Sequence, residues 1–149
     1  MLSSKRLALI WLSGLGLGYL PIAPATWGSL LALPIIGAMN SLSLGGRVAT
    51  WAILIAFSLW CFRKVAPLRE KDPRWLVADE IIALCGIGTL GIANPVTNMI
   101  LSFLFFRFWD IIKLWPADVM EALPEPWGIL ADDIVAAFYT VLCLLLVGF

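Results

Sequence analysis

IIALCGIGTLGIANPVTNMILSFLFF, residues 81–106, carries no charged side chain along its whole length. The Asn94-Pro95 step falls near its middle, and the residue before a proline is pushed out of the α region. A single straight span is therefore replaced by a helical hairpin, one arm over residues 81–93 and a return over 95–109. That hairpin brings Asp79-Glu80, just before the first arm, and Asp110, just after the second, to the same end of the molecule.

Working outward, the apolar segment from Val48 to Phe62 ends in Arg63-Lys64, where basic residues suit both a helix C-terminus and a cytoplasmic membrane boundary. Residues 7–46 are also free of charge, but Pro21, Pro24 and Pro34 exclude one continuous helix. The segment divides into a first helix over Lys5 to Leu20, a Pro-rich loop to Ala25, and a second helix from Thr26 that ends before Gly45-Gly46 and is kinked at Pro34. Helices two and three, joined at Gly45-Gly46, bring the Thr26 loop and the Arg63 loop together. After Arg107 to Asp110 comes a polar loop with Pro116, Pro124 and Pro126, and a last helix starts near Gly128. Asp132-Asp133 then fall at the same end as the other acids.

The 149 residues contain no linker that divides them, so residues 1–149 are expected to form one domain. The composition is 62% hydrophobic and 13% charged, against roughly 25% charged in ordinary soluble proteins. The expected fold is all-α, an integral membrane bundle of about five to six helices. Arms of about 15 residues reach only about 22 Å, short of a bilayer core of roughly 30 Å, so some are expected to be re-entrant or interfacial. Lys5-Arg6 before an apolar run imitates a signal peptide, but the structured loop that follows and the equal hydrophobicity of the remaining chain argue against it.

Ten basic and ten acidic side chains cancel, leaving no basic field for a nucleic acid backbone. Cys61, Cys85 and Cys143 lie in apolar stretches without CxxC spacing, which speaks against a zinc site or a disulfide framework. No histidine is present, which excludes histidine-dependent phosphatases and Ser-His-Asp hydrolases. No Cys-x5-Arg phosphatase loop occurs either, so direct attack by a metal-activated water is the remaining route.

Five carboxylates, Asp79, Glu80, Asp110, Asp132 and Asp133, sit in or beside apolar helix ends, where ionised groups are costly unless compensated. Either acidic pair alone is explained by helix capping. Both pairs together with an acid on a third helix favour Mg²⁺, a hard cation that combines carboxylates with water and phosphate oxygens. The same acids supply a candidate base for the attacking water. In FRFWDIIKLW, Arg107, Asp110 and Lys113 recur every three residues, and the bland account is a surface ion pair. Their aromatic surroundings favour Arg107 and Lys113 as phosphate holders. PIAPATWGS, residues 21–29, sets Thr26, Gly28 and Ser29 at a helix start, where N–H groups and hydroxyls suit an anion, although an N-cap and tight turn would read the same.

These stretches together resemble the phosphatidylglycerophosphatase A family across nearly the whole chain. PIAPATWGSLLALP looks like its first motif, KDPRWLVADE its second, FRFWDIIKLWP its third and GILADDIVA its fourth. The resemblance implies Asp79, Glu80, Asp132 and Asp133 as the core of a Mg²⁺ site, with Asp72, Arg107, Asp110 and Lys113 at other motif positions and Thr26, Gly28 and Ser29 in the loop. It also implies an all-helical enzyme that removes the terminal phosphomonoester of phosphatidylglycerophosphate, in the bacterial inner membrane with its site facing the cytoplasm. Two positions depart from the pattern: Ala25 stands where glycine is usual, and Leu114 where proline follows the lysine. The competing expectation is a non-catalytic membrane protein, an ion carrier or assembly subunit, whose acids bind a cation without chemistry.

Overall fold

The computed structural model describes residues 3–66, 73–91, 96–120 and 122–148, which form seven α-helices and one 3₁₀ turn, with no strand among them. They run α1 Ser4–Leu12, the 3₁₀ turn Leu17–Tyr19, α2 Pro24–Met39, α3 Leu44–Val65, α4 Ala78–Thr89, α5 Val96–Ile112, α6 Ala117–Met120 and α7 Trp127–Leu146. The expected all-α bundle is the architecture found. The Asn94-Pro95 turn and Asp72 lie outside the described residues.

Several boundaries differ from expectation for local reasons. The first helix stops at Leu12 rather than Leu20, because Gly14, Leu15 and Gly16 take left-handed backbone at φ 56°, 59° and 96°, a region glycine enters without steric cost. The Leu15 N–H then donates to the Ile10 carbonyl at 2.8 Å and the Gly16 N–H to the Ser13 hydroxyl at 3.1 Å, closing the helix end. The second helix begins at Pro24, where proline's missing N–H is harmless, and runs through Pro34. Gly45-Gly46 is not the link between helices two and three. Ser43 caps α3 by accepting the Gly46 N–H at 3.3 Å, so the pair forms α3's first turn and the link is residues 40–43.

α3 is thereby longer than the expected Val48–Phe62. With 22 residues, and 20 in α7, these two helices are long and apolar enough to cross a membrane, reaching about 33 and 30 Å. α4 has 12 residues and reaches only about 18 Å. Every residue of α4 except Gly86 is buried, the mark of a helix enclosed on all sides. α2, α3 and α7 surround it, α5 pairs with α7, and α1 with α3. The main core joins Ile36, Leu84, Ile87, Phe106 and Leu144 from four of these helices. The Trp51 indole N–H of α3 donates to the Ile82 carbonyl of α4 at 2.9 Å.

The start of α4 is pinned through Val77. Its N–H donates to the Leu12 carbonyl at 2.9 Å, tying α4 to the end of α1. Its side chain is wedged between two glycines: a Cβ on Gly28 would fall 2.6 Å from Val77 Cβ, and one on Gly14 would fall 2.8 Å from Val77 Cγ2. Gly28→Ala should therefore lower stability by about 1–3 kcal/mol through overpacking. Gly45→Ala, whose new Cβ meets nothing within 4 Å, should be neutral or stabilise by about 0.5–1 kcal/mol. Thermal unfolding of both variants in detergent checks this, and equal melting temperatures would refute the close approach.

Candidate active site

Asp79 and Glu80 occupy the first turn of α4, where the positive end of the helix dipole favours negative charge. On α7, Asp133 continues the inward stripe of Ala136, Ala137, Thr140 and Leu144, the 3.6-residue period carrying it to the buried face. The two helices pack together, and one carboxylate oxygen from each of Asp79, Glu80 and Asp133 lies within 4.8 Å of the others. All three residues are buried, with 6%, 7% and 4% of their surface exposed.

The trio opens into a cavity of about 270 Å³ that is also lined by Ala25, Asp110, Ile111, Lys113, Ile129 and Asp132. Asp110 of α5 and Asp133 of α7 thus line the same cavity. The Arg107 guanidinium pairs with Asp110 at 2.6 Å, so the spacing of one helical turn does produce an ion pair. The Lys113 ammonium donates to Asp132 Oδ2 at 3.0 Å, while Asp132 Oδ1 accepts the Asp133 N–H at 3.0 Å. Lys113 does not continue the helical stripe of Arg107 and Asp110, because α5 ends at Ile112 and Lys113 turns into left-handed backbone at φ 48°. That turn sends its side chain across to α7.

The loop residues divide. Gly28 and Ser29 are buried away from the cavity; Gly28 faces Val77, and the Ser29 hydroxyl donates to the Ala25 carbonyl at 3.0 Å, which satisfies it within α2. Thr26 is half-buried in the first turn of α2 and is not among the described residues lining the cavity. Ala25, noted from sequence only as a departure, is a wall of the cavity and sits in α2 rather than in left-handed backbone; it is Ala23 that takes φ 49°. Ala25's role and the Lys113–Asp132 contact across nineteen positions had no signal in residue spacing.

The donor set fits a hard divalent cation. It is all oxygen, and Glu80 Oε2 is buried with no hydrogen-bond partner among the described residues. Five carboxylates gather in this cavity with Lys113, and Arg107 stands beside it; buried anions gathered in this way are eased by positive charge.

The phosphatidylglycerophosphatase A family model matches residues 10–148. Among curated relatives, a phosphatidylglycerophosphatase A of Haemophilus influenzae is 32% identical over 136 residues, covering 87% of this chain and 81% of its own. One of Escherichia coli is 31% identical over 141 residues, covering 91% and 80% respectively. A candidate phosphatidylinositol-3-phosphatase of Bacteroides thetaiotaomicron is 30% identical over 138 residues, covering 86% and 85%. No solved structure matches. With a match that takes in all of α2 to α7 and every carboxylate of the cavity, the chain belongs to the phosphatidylglycerophosphatase A family.

Proposed function

We propose that this protein is a Mg²⁺-dependent lipid phosphatase that hydrolyses the terminal phosphomonoester of phosphatidylglycerophosphate to phosphatidylglycerol and phosphate. The observation that carries the reading is the convergence of Asp79, Glu80 and Asp133 oxygens within 4.8 Å of one another in a cavity that also holds Lys113 and Asp110. Family membership supports the lipid phosphatase chemistry, and together with the two membrane-length helices it supports a place in a membrane. Its place is the bacterial inner membrane, with the site on the cytoplasmic side, where Arg63 and Lys64 end α3.

Asp79, Glu80 and Asp133 would hold the ion, with Asp132 as a fourth candidate ligand that also fixes the Lys113 ammonium at the cavity wall. Bound Mg²⁺ supplies positive charge for the phosphate oxygens and acidifies a water at neutral pH. Lys113 and Arg107 stabilise the charge that spreads over the phosphoryl oxygens, and Arg107 holds Asp110 in place. A cavity carboxylate takes the proton of the water that attacks phosphorus and passes it to the glycerol oxygen as the bond from phosphorus to that oxygen breaks. Ile111 and Ile129 give the cavity its apolar walls.

Phosphate release from phosphatidylglycerophosphate by detergent-solubilised protein tests the reading. Activity should vanish in EDTA and return with Mg²⁺; release from phosphatidylinositol 3-phosphate alone would instead favour the activity for which the Bacteroides relative is named. Asp79→Asn and Asp133→Asn should each lower kcat by about 100-fold or more, since even partners one step removed from a metal contribute 10–100-fold. Near-normal activity in both variants, with folding verified by circular dichroism, would end the assignment of these two as ligands. Arg107→Lys should cut kcat/KM roughly ten-fold because a point charge does not replace a bidentate fork. Arg47→Lys, beside Gly91 beyond the far end of α4, should leave kcat/KM as it is, and matching losses at the two positions would confine Arg107 to a structural pair.

A further inference from the structure

A second cavity, of about 310 Å³, also meets α2's first residue and is lined by Gly18, Tyr19, Pro24, Arg74 and Trp75 among others. Pro24 borders this cavity and Ala25 borders the acidic one, and consecutive Cα atoms are about 3.8 Å apart. The two cavities therefore both meet the first turn of one helix.

Its walls are built rather than incidental. The 3₁₀ turn Leu17–Tyr19 rests directly on the backbone of Trp75, where any Cβ on Gly18 would overlap the Trp75 carbonyl. The Tyr19 and Trp75 rings stack at 5.9 Å between centroids and 21° between planes. Aromatic rings of this kind favour the boundary between apolar and aqueous phases. Arg74 adds an exposed guanidinium, and no carboxylate among the described residues is paired with it.

The proposed substrate carries two phosphates, a terminal phosphomonoester and an inner phosphodiester, one glycerol unit apart. The acidic cavity, with its carboxylates, suits one metal-bridged phosphate and repels a second anion. An anion one glycerol away needs a separate cation outside that cavity. Resting on the function proposed above, we infer that the Arg74–Trp75–Tyr19 pocket receives the inner phosphodiester of the lipid, with the Arg74 fork on its oxygens and the Tyr19–Trp75 stack against the glycerol. Arg74 is then a specificity-determining residue: it selects a phosphomonoester that has a phosphodiester beside it over one that has none.

The test compares phosphatidylglycerophosphate with phosphatidate, a lipid phosphomonoester lacking the second phosphate. In Arg74→Gln, the ratio of kcat/KM for the first substrate over the second should fall roughly ten-fold, mostly through KM, with part of the loss restored in Arg74→Lys. An unchanged ratio overturns the inference. A second readout needs no turnover: in EDTA, binding of phosphatidylglycerol, which keeps only the diester, is measured by native mass spectrometry of detergent-solubilised protein. Arg74→Gln should bind it roughly ten-fold more weakly than the unmodified chain, and equal binding overturns the inference as well. Should the unmodified chain hydrolyse neither lipid while phosphatidylglycerol binding still depends on Arg74, the phosphatase reading falls and the diester pocket stands.

Discussion

Buried negative charge is the constraint around which this molecule is arranged. Asp79, Glu80 and Asp133 lie inside an apolar bundle, and an ionised carboxylate withdrawn from water costs several kcal/mol unless something compensates it. α4 offers partial relief by presenting its N-terminus to its own two acids. The cations from α5 and the turn after it offer more. Each of the surrounding helices thus contributes either a wall that keeps α4 dry or a charge that makes its start tolerable.

Holding those charges in register requires that the first turn of α4 be immobile, and the packing supplies this from two directions. The Val77 amide is fastened to the end of α1 and its side chain is seated against Gly28 of α2 and Gly14. Farther along, the Trp51 indole clamps the middle of the helix from α3. A short helix enclosed in this way has no freedom to slide, so the carboxylate separation is a property of the whole bundle rather than of a flexible loop.

Much of this was legible in the sequence. Acids placed against long uncharged stretches are conspicuous because hydrophobic composition makes each of them costly, and the proline punctuation showed which ends meet. The motif order carried the family, and the proline-broken apolar runs carried the all-helical class. What stayed hidden depends on backbone conformation or on contacts between distant segments. The early end of α1 follows from left-handed backbone at Gly14 to Gly16, which composition alone does not announce. The Ser43 cap moved the connection away from the glycine pair that suggested a turn. Ser29 carries a hydroxyl suited to an anion, yet an internal helical bond occupies it. Lys113 reaches Asp132 only because the chain leaves the helical path after Ile112, and the periodicity that groups it with Arg107 and Asp110 predicts a different neighbour.

The seat of Val77 between Gly14 and Gly28 links the mutational histories of three positions far apart in the chain. A larger side chain at 77 has no room while both glycines face it, and a methyl group at either glycine has no room while valine remains. Shortening Val77 does not free the glycines, because the atom 2.6 Å from a Gly28 Cβ is the Val77 Cβ that alanine keeps, and Gly14 is held at φ 56°. Because Asp79 is two residues from this seat, drift there would also move a carboxylate of the acidic cavity. The three positions are thus expected to stay fixed together, a unit made by backbone proximity with no chemistry of its own.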